Sequence, residues 1–165
     1  MEIKLLKEDD ELLRQDAEPW DFNTDGDPTE LVRAMTKVMF ENNGIGLAAP
    51  QVGILKRLFI MGNSDKLIVC INPTLVSGGE FYRDVEGCLS FPNLWLHVSR
   101  YKQIQARYQD IKGNTIETVF DGLIARVYQH ESDHLDGVCF DTRVGPVTLD
   151  FAKQKRNKKL RKSFN

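Results

Sequence analysis

The stretch GLIARVYQHESDHLDG, residues 122–137, decides the fold and much of the chemistry. It predicts a helix over about 122–135, with Asp136-Gly137 closing it and Gly137 as the C-terminal cap. His130 and His134 stand four residues apart. On a helix, that spacing places both imidazoles on one face, one turn apart, where they can grip a single cation. Glu131 directly follows the first histidine, so its carboxylate can reach a water on that cation. The bland alternative is a surface helix carrying two unrelated histidines. Two of the chain's three histidines lie in this motif, which favours the metal reading.

A catalytic metal site typically has three protein ligands and a water. The 31 residues after His134 contain neither His nor Glu, so a third ligand is expected upstream. EGCLS, residues 86–90, offers Cys88 in a turn-like context. A lone cysteine is otherwise a small buried hydrophobe. Cys70, inside LIVCIN, and Cys139, inside VCF, sit in apolar runs and read as structural. A third motif, GIGLAAPQVG at 44–53, reads as an ordered loop and not as a regular element. Either its glycines let backbone amides approach a ligand, with Gln51 offering its amide, or the loop is packed for shape.

Around these motifs the pattern is mixed. Residues 1–26 are acidic and irregular, with Pro19, Asn23 and Gly26 as breakers. A helix follows, with Asp27 as cap, Pro28 at the first position and Glu30 placed for a capping box. Leu31, Met35, Val38 and Met39 form its apolar face, and Asn42-Asn43-Gly44 end it. RLFIM (57–61) and KLIVCI (66–71) are short strands, with Asn72-Pro73 and Gly78-Gly79 as punctuation beyond them. LWLHVS (94–99) alternates as a half-buried strand, and His97 within it reads as a surface or partly buried residue. IQARY (104–108) and TIETVF (115–120) flank Lys112-Gly113-Asn114 and predict a hairpin. A basic helix is expected from about 148 to 163. The expected class is α+β, with short antiparallel sheets packed around a central HExxH helix in a single domain over 1–165.

Bulk properties narrow the function. A formal net charge of −2 argues against a dedicated nucleic-acid binder, though not against a local basic patch. Residues 1–30 hold eleven acids against Lys4, Lys7 and Arg14. Lys153, Lys155, Arg156, Lys158, Lys159, Arg161 and Lys162 have no acid among them, which reads as a solvated helix face or as a contact for RNA, the ribosome or an acidic partner. Three widely spaced cysteines are no disulfide framework and point to a reducing compartment. The N-terminus has no long apolar run, so neither a signal peptide nor a membrane span is expected.

GIGLAAPQVG, EGCLS and QHESDHLDG, in this order and at these separations, resemble the peptide deformylase family, and the resemblance runs from about Asp10 through Phe140. It implies removal of the formyl group from N-formylmethionine at the start of nascent polypeptides, in a cytoplasmic or other reducing compartment. It implies one divalent ion on Cys88, His130 and His134, Fe²⁺ as the native ion, with Zn²⁺, Ni²⁺ or Co²⁺ as substitutes. Glu131 is then the general acid/base acting on metal-activated water. Gln51 and the backbone amide of Leu89 steady the carbonyl oxygen, and Ile45 and Gly46 bind the substrate chain. The expected molecule is a monomer, with transient ribosome contact through the basic tail. Asn93 stands where the family often has Gly, and Trp95 and Arg126 lie near the expected pocket at variable positions. Two rivals remain at this stage, a non-catalytic binder of N-termini and a different metallohydrolase such as a small aminopeptidase.

Overall fold

The HExxH helix forms as α2, Leu123–Leu135, in a computed structural model that describes residues 1–164. Gly137 closes it at φ 66°, donating its N–H to the His134 carbonyl at 3.3 Å. A Cβ at this position would lie 2.6 Å from the Arg14 carbonyl oxygen, so glycine is required twice over, by conformation and by space.

Two antiparallel sheets enclose α2. The larger has the order β1-β2-β3-β6-β7, built from Gly46–Ala48, Leu58–Gly62, Leu67–Gly78, Gln103–Gln109 and Thr115–Asp121. The smaller is the hairpin of β4, Phe81–Cys88, and β5, Phe91–Tyr101. Ala125, Tyr128 and Leu135 of α2 pack with Phe59, Cys70, Ala106 and Phe120 of the larger sheet. Burying these apolar surfaces is the main force holding the helix in place. β5 alternates as expected: Phe91, Leu94, Leu96, Val98 and Arg100 are buried, and His97 is exposed. The 103–121 hairpin forms as read, and Asp110 accepts the Lys112 and Asn114 amides at 2.9 Å in its turn.

α1, Thr29–Glu41, buries Leu31, Val32, Met35 and Met39 beneath β2 and β3 residues Leu58, Ile60 and Ile71. Asp27 accepts the Thr29 amide at 2.9 Å, but the expected capping box does not form. Glu30 instead lies in an exposed 3.5 Å pair with Arg33. α3, Pro146–Ser163, buries no residue of its own.

Three expectations need correction. GIGLAAPQVG is more than an ordered loop: Gly46–Ala48 pair with Phe59–Met61 as β1, and Ala49–Val52 form one 3-10 turn. Its small residues let a strand pass tightly against α2. Asn72-Pro73 does not end β3, which runs on to Gly78. The pairing steps from Ile71↔Gln109 to Thr74↔Arg107, so the dipeptide forms a bulge. Asn72 tolerates φ 49°, and its side chain bonds the Trp20 amide and carbonyl at 2.8 and 2.9 Å. β4 was not expected, and β3, at twelve residues, runs well past the short stretch read at 66–71.

Candidate active site

α2 and the β4–β5 hairpin meet at a cleft of about 640 Å³, lined by Gly46, Cys88, Leu89, Trp95, His130 and Glu131 among others. One ligand atom each from Cys88, His130 and His134 lies within 4.8 Å of the others. Cys88 Sγ stands 3.4 Å from His134 Nε2. Cys88 ends β4 just before the tight Leu89-Ser90 turn, so the strand end presents its thiol to the helix.

Each imidazole is set by its surroundings. His130 Nδ1 lies 2.9 Å from Glu86 Oε1, leaving Nε2 as its free ring nitrogen. A carboxylate behind a histidine is the usual arrangement that orients a metal ligand. Burial holds His134 well below the ordinary histidine range, which favours the neutral ring with one nitrogen free as a lone-pair donor. Its Nδ1 has no partner among the described residues. One thiol and two imidazoles fit a divalent cation of borderline softness, such as iron or zinc.

Glu131 is 4% exposed, and its Oε2 has no partner among the described residues. Burial pushes its carboxyl up to about 7, while His130 pulls the other way. Gly46 of β1 lies against this carboxylate: a Cβ there would overlap Glu131 and stand 2.8 Å from Val127 Cγ1. Gln51 is fixed at both ends of its amide. Its Oε1 accepts the Ala48 N–H at 2.9 Å, and its Nε2 points at Ser90 Oγ, 3.2 Å, and Cys88 Sγ, 3.6 Å. Leu89 lies in the turn after Cys88, on the cleft wall. β1 is an edge strand of its sheet, and Ile45 and Gly46 line the cleft.

Six of the eight residues singled out from the sequence line one cleft, and the other two, Gln51 and His134, lie against Cys88 on its wall. The matching family model is that of polypeptide deformylase, over residues 3–149. The chain belongs to the peptide deformylase family. A peptide deformylase of Thermotoga petrophila is 41% identical over 139 residues, covering 84% of either chain. The crystal structure of the peptide deformylase of Legionella pneumophila superposes with a TM-score of 0.89 at 33% identity, covering 100% of this chain and 99% of that one. A class I type b peptide deformylase of Acinetobacter baumannii, solved with Met-Ala-Ser bound, gives 0.81 at 34% identity, over 87% and 99% of the two chains. Peptide deformylases are metal-dependent hydrolases that remove the N-terminal formyl group of nascent polypeptides, and this is the function of the chain.

The deformylase site also rests on contacts the motifs did not reveal. Glu86 is 6% exposed and carries two arginines besides His130. Arg100 binds it through Nε at 2.8 Å and Nη2 at 3.0 Å, and Arg126 through Nη1 at 2.6 Å. Burial alone would raise the Glu86 carboxyl, but hydrogen bonds from His130 and Arg100 hold it far below the usual carboxylate range. Arg100 was legible in principle. It continues the buried Leu94, Leu96, Val98 face at the same two-residue spacing, and a charge on an apolar face calls for a partner. Trp95 lies at the rim, 63% exposed, against Gly87.

Proposed function

We propose that residues 1–165 act as one catalytic domain in which Cys88, His130 and His134 hold a single divalent ion and Glu131 moves the protons of deformylation. The convergence of three ligand atoms within 4.8 Å, at the end of a cleft, is the observation that carries this reading. Such an ion, when bound, lowers the pKa of its water towards about 7 and polarises the formyl carbonyl. Fe²⁺ is the expected native ion, with Zn²⁺, Ni²⁺ or Co²⁺ as substitutes, because a thiolate donor suits these better than Mg²⁺.

The remaining steps belong to the chain's own side chains. Glu131, buried and with a free oxygen, takes the proton of the attacking water and delivers it to the leaving amine. Gln51 Nε2 and the Leu89 amide donate to the formyl oxygen, which becomes an oxyanion when water attacks the carbon. Removing one such donor typically costs about 3–4 kcal/mol of transition-state stabilisation. Gln51 suits this because its amide is already locked by Ala48 and Ser90 and need not reorganise. Ile45 and Gly46 bind the substrate backbone along the edge of β1, as an added strand. A formyl carbon bears only hydrogen, so a tight site rejects acetyl by size. The Acinetobacter relative bound to Met-Ala-Ser supports a short methionyl peptide as occupant of the cleft.

The substrate is the N-terminus of a nascent formylated polypeptide. We also infer transient ribosome contact through the basic residues of α3, none of which is buried, and a monomer working in the cytoplasm or another reducing compartment. The free thiols of Cys70, Cys88 and Cys139 support the reducing setting. Among the described residues no helix is long and apolar enough to cross a membrane. The test is metal analysis joined to an assay on formyl-Met-Ala-Ser. One equivalent of metal, with activity that falls on chelation and returns on reloading, is expected. Full activity in thoroughly chelated protein would refute the metal assignment.

A further inference from the structure

Four hydrogen bonds converge on the Glu86 carboxylate. Oε1 accepts from Arg100 Nη2 and faces His130 Nδ1, and Oε2 accepts from Arg100 Nε and Arg126 Nη1. Arg126 is not merely a counter-charge. Its side chain is 3% exposed. The same Nη1 donates to the Val98 carbonyl of β5 at 2.7 Å, and Nη2 to the Tyr82 carbonyl of β4 at 3.0 Å. The guanidinium lies 4.5 Å from the centre of the Tyr82 ring. Arg126 therefore ties both strands of the hairpin to α2, one helical turn before His130.

We propose that Arg126 is a positioning residue for the metal centre, fixing the Glu86 carboxylate that orients His130 and holding the hairpin that carries Cys88 in register with α2. Both ligand-bearing elements meet at this one side chain. Cys88 rides on the end of β4 and His130 on α2, and Arg126, itself on α2, bonds the Glu86 carboxylate and the backbone carbonyls of β4 and β5. A lysine could reach Glu86 but could not hold the two carbonyls in the same plane. The inference rests on the proposed ligand set of Cys88, His130 and His134.

The test uses Co²⁺-loaded protein and reads metal dissociation into a chelator, together with the visible absorption of the cobalt site. Removing a group that orients a metal ligand typically costs about 10–100-fold in metal affinity. Arg126→Met should release Co²⁺ at least about tenfold faster and shift its absorption bands, and Arg126→Lys should fall between Met and the unmutated protein. If Arg126→Met does not fold, Arg126→Lys carries the test alone. Tyr128→Phe is the structural control. It removes a buried hydroxyl on the same helix that bonds the Thr74 carbonyl at 2.9 Å, far from Glu86 in the network. It should lower thermal stability and leave cobalt release and absorption unchanged. In a Glu86→Gln background, Arg126→Met should add less than it does in the unmutated protein, because the part of its action that runs through Glu86 is already lost. Unchanged cobalt release and absorption in the Arg126 variants would overturn the proposal, as would effects of Glu86→Gln and Arg126→Met that multiply in full. Failure of the unmutated protein to bind one equivalent of Co²⁺ would overturn the ligand set itself, and this inference with it.

Discussion

Glu131 sits between two histidines in sequence, yet it lines the cleft with a buried carboxylate oxygen that has no hydrogen-bond partner among the described residues. Glu131→Gln keeps its size and removes its basicity. Metal content should stay near one equivalent, peptide binding should persist, and kcat should fall by at least about a hundredfold, as for positioned acid/base groups. Steady-state kinetics with metal analysis checks this, and an active Glu131→Gln enzyme would place the base elsewhere. The three cysteines divide by environment in the same way. Cys70 and Cys139 are fully buried, and burial drives both thiols above their ordinary range, Cys139 to about 12. Such thiols serve packing and are poor ligands. Cys88→Ala should lose most bound metal. Cys70→Ala and Cys139→Ala should keep metal stoichiometry and lose about 1–2 kcal/mol of stability in denaturant titrations. The sequence suggested these roles because HExxH and EGCLS are local spacings. The role of Glu86 and of its partners Arg100 and Arg126 escaped notice, although EGCLS contains Glu86 and Arg126 was placed near the pocket, because it depends on contacts between residues 14, 40 and 44 positions apart.

At the scale of elements, legibility followed periodicity. α2, β5 and the β6–β7 hairpin were readable because each buries one face at regular spacing. β1 and the second half of β3 were not. Three small residues carry no alternating signal, and Asn72-Pro73 reads as a break until Trp20 and Gln109 are known to satisfy the Asn72 side chain. Asn72→Ala leaves those groups without their partner and should cost about 1–3 kcal/mol, read from chemical denaturation, with metal content unchanged. A stability unchanged within error would mean that the bulge holds without its side chain. α3 makes a contrasting case. Arg156 pairs with Glu8 at 2.7 Å, and Leu149 and Ala152 pack on the cluster around Phe91, but the last turns bury nothing. A chain ending after Lys153 loses the Arg156 pair and should melt at a lower temperature. It should still hydrolyse a short formylated peptide at more than a tenth of the full rate. A folded truncation below that rate would place the tail in the active site.

For the whole molecule, the design is a buried helix with two faces in different service. Ala125, Tyr128 and Leu135 anchor α2 in the larger sheet, while Arg126, His130 and His134 turn towards the smaller one. The proposed metal ligands come from two elements, so the fold itself brings them together. The central claim is that this assembly deformylates methionyl peptides through a metal held by Cys88, His130 and His134. Its most direct test is the rate of free-amine release from formyl-Met-Ala-Ser and acetyl-Met-Ala-Ser by metal-loaded protein, repeated with Cys88→Ala. The unmutated protein should cleave the formylated peptide at least about tenfold faster than the acetylated one, the scale on which a pocket discriminates one small apolar group. Cys88→Ala should cleave neither. Binding of the formylated peptide without turnover, or cleavage by Cys88→Ala at the unmutated rate, would contradict the claim.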